Sequence, residues 1–233
     1  LFAVGDGVAG PGAGNAAAPP PSVTTPGPLG GPPADPSLPL IGVARPEFST
    51  ATNRLASAVR LANHRVHQEA ASHADYAGMG TTVVAAWLTG HVLSIAHVGD
   101  SRLYLIRGDR LQPLTADHSL VNEQALSGLL SADDAERASH KHVLTRAVGV
   151  HATVDVELAE LPVLDGDALL LCSDGLTAGL SSHTILQTVH ESSDPQVAAS
   201  RLINLSNTAG GTHNTTVIVA ILTKAKPGLC ERI

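Results

Sequence analysis

The chain has 233 residues, of which 43% are hydrophobic, and its formal net charge at pH 7 is -7. This length and apolar content suffice for one folded domain with a substantial core. Only 14 residues are lysine or arginine, which excludes the class of proteins that neutralise nucleic-acid phosphates with a basic surface.

The chain opens on the apolar run Leu1–Val4, which is typical of a β-strand, and continues directly into Gly5-Asp6-Gly7. Because nothing precedes this strand pattern, we expect an upstream segment to be missing. Gly5 to Gly10 has the G-x-G-x-x-G spacing of dinucleotide-binding folds, but that motif requires a helix at its third glycine. Pro11 and further glycines follow instead, so the pattern does not favour a dinucleotide site.

A Pro/Gly-rich insertion is predicted at about residues 15–46, which contain most of the prolines and few residues that could build a core. An amphipathic helix is predicted from Ser49 onward, because apolar residues recur there at helical spacing. Its apolar stripe comprises Leu55, Val59, Ala62, Val66 and Ala70. The histidines of this region lack the H-E-x-x-H arrangement of a zinc site, and we interpret them as surface residues: His64, His67 and His73.

Four strands are predicted in succession, and turn signals between them favour an antiparallel meander in one sheet. Asp100 and Ser101 lie between the second and third strands, and we interpret both as turn residues. The four strands are Thr81–Leu88, His91–Val98, Arg102–Arg107 and Leu111–Leu114.

The second half of the chain predicts a helical segment over Ser119–Ser139, then further strands and two helices. Strands and helices gather in runs rather than alternating, so the predicted class is α+β, with antiparallel sheets whose outer faces are covered by helices. The later strands are Val154–Leu158, Ala168–Cys172 and Thr215–Leu222, and the helices lie near Ser182–His190 and Pro195–Asn207.

Two aspartates directly follow apolar runs: Asp6 after Leu1–Val4, and Asp174 after Ala168–Cys172. A carboxylate at a buried strand end is a turn residue that faces water, or it is paired, or it binds a cation. The polar run from Gly210 to Asn214 directly precedes the last predicted strand, so it is a third polar segment next to a strand end, in addition to Asp6 and Asp174. Because hard divalent cations prefer oxygen ligands, carboxylates from separate strand ends favour a two-cation site.

Seven sequence blocks stand in a definite order along the chain. The five larger blocks are Leu1-Phe2-Ala3-Val4-Gly5-Asp6-Gly7, Gly78-Met79-Gly80-Thr81-Thr82, Ala96-His97-Val98-Gly99-Asp100-Ser101-Arg102, Leu171-Cys172-Ser173-Asp174-Gly175-Leu176 and Gly210-Gly211-Thr212-His213-Asn214-Thr215-Thr216-Val217. The two smaller blocks are Thr115-Ala116-Asp117-His118-Ser119-Leu120-Val121 and Val143-Leu144-Thr145-Arg146-Ala147-Val148-Gly149. In this order and spacing the chain resembles the metal-dependent serine/threonine protein phosphatases of type 2C, in their bacterial branch.

The resemblance implies a four-layer α-β-β-α sandwich of two antiparallel sheets, lacking its first strand, with metals in a cleft at one edge. It also implies one domain over residues 1–223, followed by a tail at 224–233. The implied activity is hydrolysis of phosphoserine and phosphothreonine in proteins by a metal-bridged water, with no phosphoenzyme.

Site residues follow from the same resemblance. Asp6 would bridge two manganese or magnesium ions, and Asp174 would bind one of them, so that these two are the catalytic residues. Gly7 would offer its carbonyl to one ion, and Asp117 would bind a third, looser ion. Asp117 could instead cap the helix that follows it, since aspartate is a favoured N-cap.

Two departures from the family pattern bear on this interpretation. His213 stands where the family carries an aspartate that ligates the same ion as Asp174, and neutral imidazole suits magnesium poorly. His213 could also simply pack at a turn. The family's upstream strand, with a phosphate-binding arginine and an acidic pair, has no counterpart here. A second hypothesis is therefore a non-catalytic pseudophosphatase that binds a protein partner, and a third is a hydrolase of small phosphoesters.

Cysteine content and hydropathy predict where the chain resides. Cys172 and Cys230 match neither a disulfide framework nor a zinc spacing, which favours a reducing, cytoplasmic setting. No segment approaches the ~18 apolar residues of a membrane span, so we expect a soluble chain. The expected partners are a phosphoprotein substrate and a cognate serine/threonine kinase, with no nucleic acid, no membrane and a monomeric state.

Overall fold

The computed structural model of the protein describes residues 1–8, 40–131, 134, 138, 140, 142–210 and 214–224. Its strands are β1 (Phe2–Val4), β2 (Gly7–Val8), β3 (Gly80–Thr81), β4 (Val83–Thr89), β5 (Val92–Val98), β6 (Arg102–Arg107), β7 (Arg110–Pro113), β8 (Glu157–Pro162), β9 (Ala168–Cys172) and β10 (Val217–Ile221). Its α-helices are α1 (Thr50–Ser72), α2 (Leu120–Leu126), α3 (Asp174–Gly179), α4 (Ser182–His190) and α5 (Pro195–Thr208). Within these ranges no helix combines the length and the apolar character that a membrane crossing requires.

Two four-stranded antiparallel sheets lie face to face. Sheet 1 has the strand order β1-β4-β5-β8 and sheet 2 the order β10-β9-β6-β7, while β2 and β3 form a separate two-stranded ribbon. Alternate side chains of each strand point between the sheets. Val84 and Ile95 of sheet 1 pack there with Leu103 and Leu169 of sheet 2, in the central core.

Helices cover both outer faces of this pair of sheets. Leu55 of α1 packs with Ala96 on the outer face of sheet 1. Ile185 of α4 and Leu202 of α5 pack with Leu170 on the outer face of sheet 2. Strand β9 is therefore covered on both faces, which explains why its sequence is continuously apolar. The predicted α+β class and four-layer α-β-β-α sandwich are confirmed.

The predicted single meander is wrong, because its four strands divide between the two sheets. β4 and β5 form a hairpin in sheet 1, and β6 and β7 form one in sheet 2. The chain changes sheets at Gly99–Ser101, where Gly99 adopts a φ of 105°. A Cβ atom at Gly99 would lie 2.6 Å from the Cβ of Thr82, so a side chain does not fit this crossing. Alternation of apolar residues cannot reveal the crossing, because both sheets bury alternate positions.

Three further local predictions differ from the structure. α2 covers only the beginning of the helical segment predicted over Ser119–Ser139, part of which lies outside the described residues. The strand predicted at Val154–Leu158 is displaced to β8. The short helix α3 was not predicted, because Asp-Gly after a strand reads as a turn.

Most of the insertion predicted at about residues 15–46 lies outside the described residues. Its last part is described, and it packs along α1. The Ile41 N–H donates to Ser57 Oγ at 2.7 Å, and the Arg45 N–H donates to Asn53 Oδ1 at 2.7 Å. Two polar side chains of α1 thus bind the incoming backbone. Apart from Lys224, the predicted tail also lies outside the described residues.

The predicted apolar stripe of α1 is confirmed at Leu55 but not at Ala62, which is exposed. The neighbouring Asn63 is buried instead and binds the loop that carries Gly149. Its amide nitrogen donates to the carbonyls of residues 151 and 152 at 3.0 and 3.2 Å, and its oxygen accepts from the Gly149 N–H at 2.7 Å. Asn63 therefore satisfies three backbone groups that the loop itself leaves unpaired.

Replacing Asn63 with alanine is expected to lower the free energy of unfolding by about 2–4 kcal/mol, because buried backbone groups lose their partners. Chemical denaturation measures this difference. The matched control is Asn204→Ala on the exposed surface of α5, which is expected to change stability by less than about 0.5 kcal/mol. Equal effects of the two substitutions would contradict the role of Asn63.

Candidate functional site

The ends of several strands meet at one edge of the sandwich. In sheet 1, β1 ends at Val4, opposite Val84 near the start of β4, and β5 ends at Val98, opposite Val83. Asp6 follows β1 at this edge, and Gly99 follows β5.

The same edge continues into sheet 2. Arg102 at the start of β6 pairs with Cys172 at the end of β9, which also pairs with Val217 at the start of β10. Because only Gly99–Ser101 separates β5 from β6, these strand ends lie next to those of sheet 1. Asp174 follows β9 here, so the fold brings Asp6 and Asp174 to one edge of the sandwich.

Backbone hydrogen bonds fix the turn that carries Asp6. Its N–H donates to Thr82 Oγ1 at 3.0 Å, and its carbonyl accepts from the Thr82 N–H at 2.9 Å and from Thr81 Oγ1 at 2.9 Å. Thr82 Oγ1 also lies 2.6 Å from Ser101 Oγ. Thr82 thereby links the Asp6 turn to the turn between the sheets. Gly7 follows in β2, where it pairs with Thr81.

Asp174 is the first residue of α3, and Ser173 occupies the N-cap position. Ser173 Oγ donates to the Asn214 carbonyl at 2.9 Å and accepts from the Thr216 N–H at 3.0 Å. These bonds place the segment at Asn214 directly against the Asp174 turn. His213, the predicted ligand that precedes Asn214, lies outside the described residues.

Asp100 is a site carboxylate that the sequence interpretation missed. Burial, together with the negative charges of Asp174 and Asp117, raises the pKa of Asp100 to about 6. The charges of Asp174 and Asp117 therefore act on the Asp100 carboxylate. The interpretation of Asp100 as a plain turn residue is therefore incomplete. The available signal was its position directly beyond a strand end, like that of Asp6.

Asp117 has a different environment from the one predicted. Its carboxylate accepts two hydrogen bonds from Arg102, from Nε at 2.9 Å and from Nη2 at 2.6 Å. Arg102 also donates to Thr177 Oγ1 at 2.8 Å, so this arginine ties Asp117 to α3. Asp117 is not the helix N-cap, because Ser119 fills that position by accepting from the Asn122 N–H at 3.4 Å. Its role as ligand of a third ion stays a prediction.

Two further residues border the site. His142 Nδ1 lies 3.8 Å from Asp174 Oδ2, with 45% of its side chain exposed. Cys172, two residues before Asp174, is fully buried, and burial raises the pKa of its thiol to about 12. Neither relation can be read from the sequence, because each depends on how distant segments pack.

The donor set suits hard divalent cations, since Asp6, Asp100 and Asp174 all offer carboxylate oxygens. Among the described residues these three do not form a group with all ligand atoms within 4.8 Å of one another. The helix histidines His64, His67 and His73 form no such group either, within the described ranges.

Comparison with known proteins gives concordant results. The family model described as "Protein phosphatase 2C" matches residues 41–210. The serine/threonine phosphatase stp of Listeria innocua is 38% identical over 165 residues, which cover 71% of this chain. The chain spans only 66% of that relative's length, just under two thirds.

Solved structures agree with the sequence comparisons. The crystal structure of serine/threonine phosphatase Stp1 from Staphylococcus aureus superposes with a TM-score of 0.70 at 28% identity, covering 78% of this chain and 71% of that one. The catalytic domain of the serine/threonine protein phosphatase PstP, in complex with two manganese ions, gives a TM-score of 0.66 at 34% identity. That match covers 73% of this chain and 71% of the PstP chain.

In the metal-free protein, Asp100→Asn is expected to increase stability at neutral pH. The folded state raises the pKa of Asp100 from 3.8 to about 6, so it disfavours the ionised carboxylate. The resulting penalty is absent well below the unfolded pKa of 3.8, where the group is protonated in both states, and it develops between about pH 4 and 6 and is complete above that. We expect the substitution to add on the order of 2 kcal/mol near pH 8 and nothing at about pH 2.5.

Denaturant unfolding in the presence of EDTA measures this pH dependence. Asp109→Asn, in the turn between β6 and β7 at the opposite edge of the sandwich, is the control and should show no gain at either pH. A gain for Asp100→Asn that is the same at both pH values would contradict the electrostatic explanation.

Proposed function

Because the chain belongs to the protein phosphatase 2C family, we propose that it hydrolyses phosphoserine and phosphothreonine residues of proteins. The observation that carries this proposal is the convergence of strand-end carboxylates, Asp6, Asp100 and Asp174, at one edge of the sandwich. The charge of Asp174 raises the pKa of Asp100, and divalent cations bound between such carboxylates would relieve this repulsion. A cluster of this kind is suited to binding the cations on which phosphate-ester hydrolysis depends.

Divalent cations are proposed to bind between these groups, with Asp6 bridging two ions and Asp174 ligating one of them. The Gly7 carbonyl and His213 complete the proposed ligands, and Asp100 adds a further carboxylate on the side of Asp174. When bound, the ions would activate a water molecule and neutralise charge on the phosphoryl group. The relative with two manganese ions supports a requirement for divalent metal.

The protein's own contribution is positioning. Thr82 fixes the backbone of Asp6, Ser173 fixes the approach of the Asn214 segment, and Arg102 neutralises Asp117 nearby. With these contacts made, the carboxylates need little rearrangement when cations and substrate enter. Preorganisation of this kind is the main protein contribution to phosphoryl transfer.

Manganese rather than magnesium is the proposed working ion. An imidazole at position 213 is neutral and a softer donor than carboxylate, so it favours manganese over magnesium. A third ion near Asp117 is a weaker element of the proposal, because Arg102 already binds both oxygens of that carboxylate.

The physiological setting is proposed on the same basis. We propose one catalytic domain over residues 1–223, acting as a monomer in the cytoplasm on a phosphoprotein whose phosphate was added by a serine/threonine kinase. The net charge of -7 supports the exclusion of nucleic acid as a partner.

Asp174→Asn is expected to lower the kcat/KM of manganese-dependent hydrolysis by roughly 100-fold or more, because a ligand charge at the cation site is lost. The assay is hydrolysis of p-nitrophenyl phosphate, followed by release of phosphate from phosphothreonine and phosphotyrosine peptides. Asp109→Asn removes a carboxylate at the far edge of the sandwich and should leave the rate unchanged.

Unchanged activity in Asp174→Asn would overturn the proposed site. Absence of activity with every divalent metal would instead favour a non-catalytic, partner-binding protein. If the chain hydrolyses small phosphoesters in preference to phosphothreonine peptides, the proposed substrate class is wrong, whereas the proposed cation site is retained.

His213→Asp is expected to increase magnesium-supported activity about 10-fold relative to manganese-supported activity, because a hard carboxylate replaces a neutral imidazole. The ratio of the two rates at saturating metal measures the effect and is insensitive to the fraction of folded enzyme. His151→Asp, in the loop bound by Asn63, is the control and should leave the ratio unchanged. An unchanged ratio in His213→Asp would remove His213 from the proposed ligands.

A further inference from the structure

A cluster of two buried histidines and an exposed glutamate lies behind the candidate site. The rings of His97 and His118 stack with centroids 4.3 Å apart, and each residue is only 2% exposed. His118 Nε2 lies 3.0 Å from Glu157 Oε2, and His97 Nε2 lies 2.9 Å from the Ala116 carbonyl. The ligand atoms of the three residues lie within 4.8 Å of one another.

Hydrogen bonding argues against a second metal site at this cluster. The Gly99 N–H donates to His118 Nδ1 at 3.1 Å, so Nδ1 carries a lone pair and no proton. The single ring proton of neutral His118 must then be on Nε2, where it is donated to Glu157. A metal at Nε2 would require a ring that has lost both protons, because the Gly99 bond still occupies Nδ1. The hydrogen bonds from Gly99 to His118 and from His118 to Glu157 therefore form a chain, called the relay below, rather than a set of metal ligands.

The end of this relay is the turn that carries Asp100. His118 binds Gly99 twice, since its ring accepts from the Gly99 N–H and its own N–H donates to the Gly99 carbonyl at 2.9 Å. Ser101, on the other side of Asp100, is bound by Thr82. The backbone of Asp100 is thus fixed from both sides, by sheet 1 through Thr82 and by the relay through His118.

We propose that His118, kept in its Nε2–H tautomer by Glu157, is a positioning residue that directs the Asp100 carboxylate toward the cation site. The proposal rests on the proposed function, because it assigns a role at the same site. A carboxylate that faces Asp174 and Asp117 is repelled by both, so a loosely bound turn would rotate it away. Two hydrogen bonds to Gly99 oppose this rotation before any cation is bound.

The surroundings of His118 favour the neutral ring that this role requires. Burial lowers the pKa of His118 and of His97, and the hydrogen bond that His118 donates to Glu157 only partly offsets this for His118. Arg146, whose Nη2 lies 3.8 Å from Glu157 Oε2, adds a positive charge that also lowers the pKa of His118. The bond from the Gly99 N–H at 3.1 Å independently identifies Nδ1 as the acceptor atom of the ring.

Two substitutions of His118 separate this role from simple packing. In His118→Asn the side-chain oxygen can occupy the position of Nδ1 and accept from the Gly99 N–H. In His118→Gln the amide reaches the position of Nε2 and keeps the contact with Glu157, but the acceptor at Nδ1 is lost. Isothermal titration of manganese into the full chain measures affinity directly, without reliance on catalytic activity.

We expect His118→Gln to weaken manganese binding about 10-fold, and His118→Asn to remain within about 3-fold of the unsubstituted chain. Thermal unfolding in EDTA compares the stabilities of the two variants. Equal losses of stability with unchanged manganese affinity would reduce His118 to a packing residue and overturn the proposal. The unsubstituted chain could bind manganese and the two variants change its affinity as expected, while no phosphatase activity is detected. That outcome would overturn the proposed function and leave the positioning role of His118 intact.

A measurement on the unsubstituted chain guards against variants that do not fold. Long-range nitrogen–proton NMR of the histidine rings reports which ring nitrogen carries the proton. The proposal requires the Nε2–H tautomer of His118 at neutral pH. An Nδ1–H tautomer would overturn it, because the Gly99 N–H would then face another donor.

Discussion

The crossing between the two sheets at Gly99–Ser101 is the constraint on which the candidate site depends. In three residues the chain leaves sheet 1 and enters sheet 2, with Gly99 in a conformation that a side chain would not permit. This short connection brings the strand ends of both sheets to a common edge. Because Thr82 binds Ser101 as well as the backbone of Asp6, the position of one site carboxylate depends on the turn that carries another.

The electrostatics of the site follow from this geometry. The charges of Asp174 and Asp117 act on Asp100, and Arg102 binds the carboxylate of Asp117 directly. The backbone hydrogen bonds that fix these turns offset the repulsion among the carboxylates. The architecture thereby gathers several carboxylates at one edge of the fold, and such a concentration of negative charge attracts cations.

The sequence was informative wherever a feature is local. Asp6 and Asp174 were selected as candidate ligands because each directly follows an apolar strand, and β9 was recognised from its continuous apolar run. Asp100 was assigned only to a turn, because its neighbours are distant in sequence and the change of sheet has no local signature. The same reason explains why the contact of His142 with Asp174 and the pairing of Arg102 with Asp117 were not foreseen. Asn63 was missed because a polar residue on a buried helix face violates the apolar pattern.

Cys172 sits beneath the candidate site, in the strand that leads to Asp174. Its thiol has a pKa of about 12 and no exposure to solvent, so the nucleophilic thiolate is essentially absent at physiological pH. Peroxides and alkylating agents react with thiolates, and this sulfur offers them none. Phosphatases that attack phosphate through cysteine are switched off by oxidants, whereas this residue gives an oxidant no comparable point of attack.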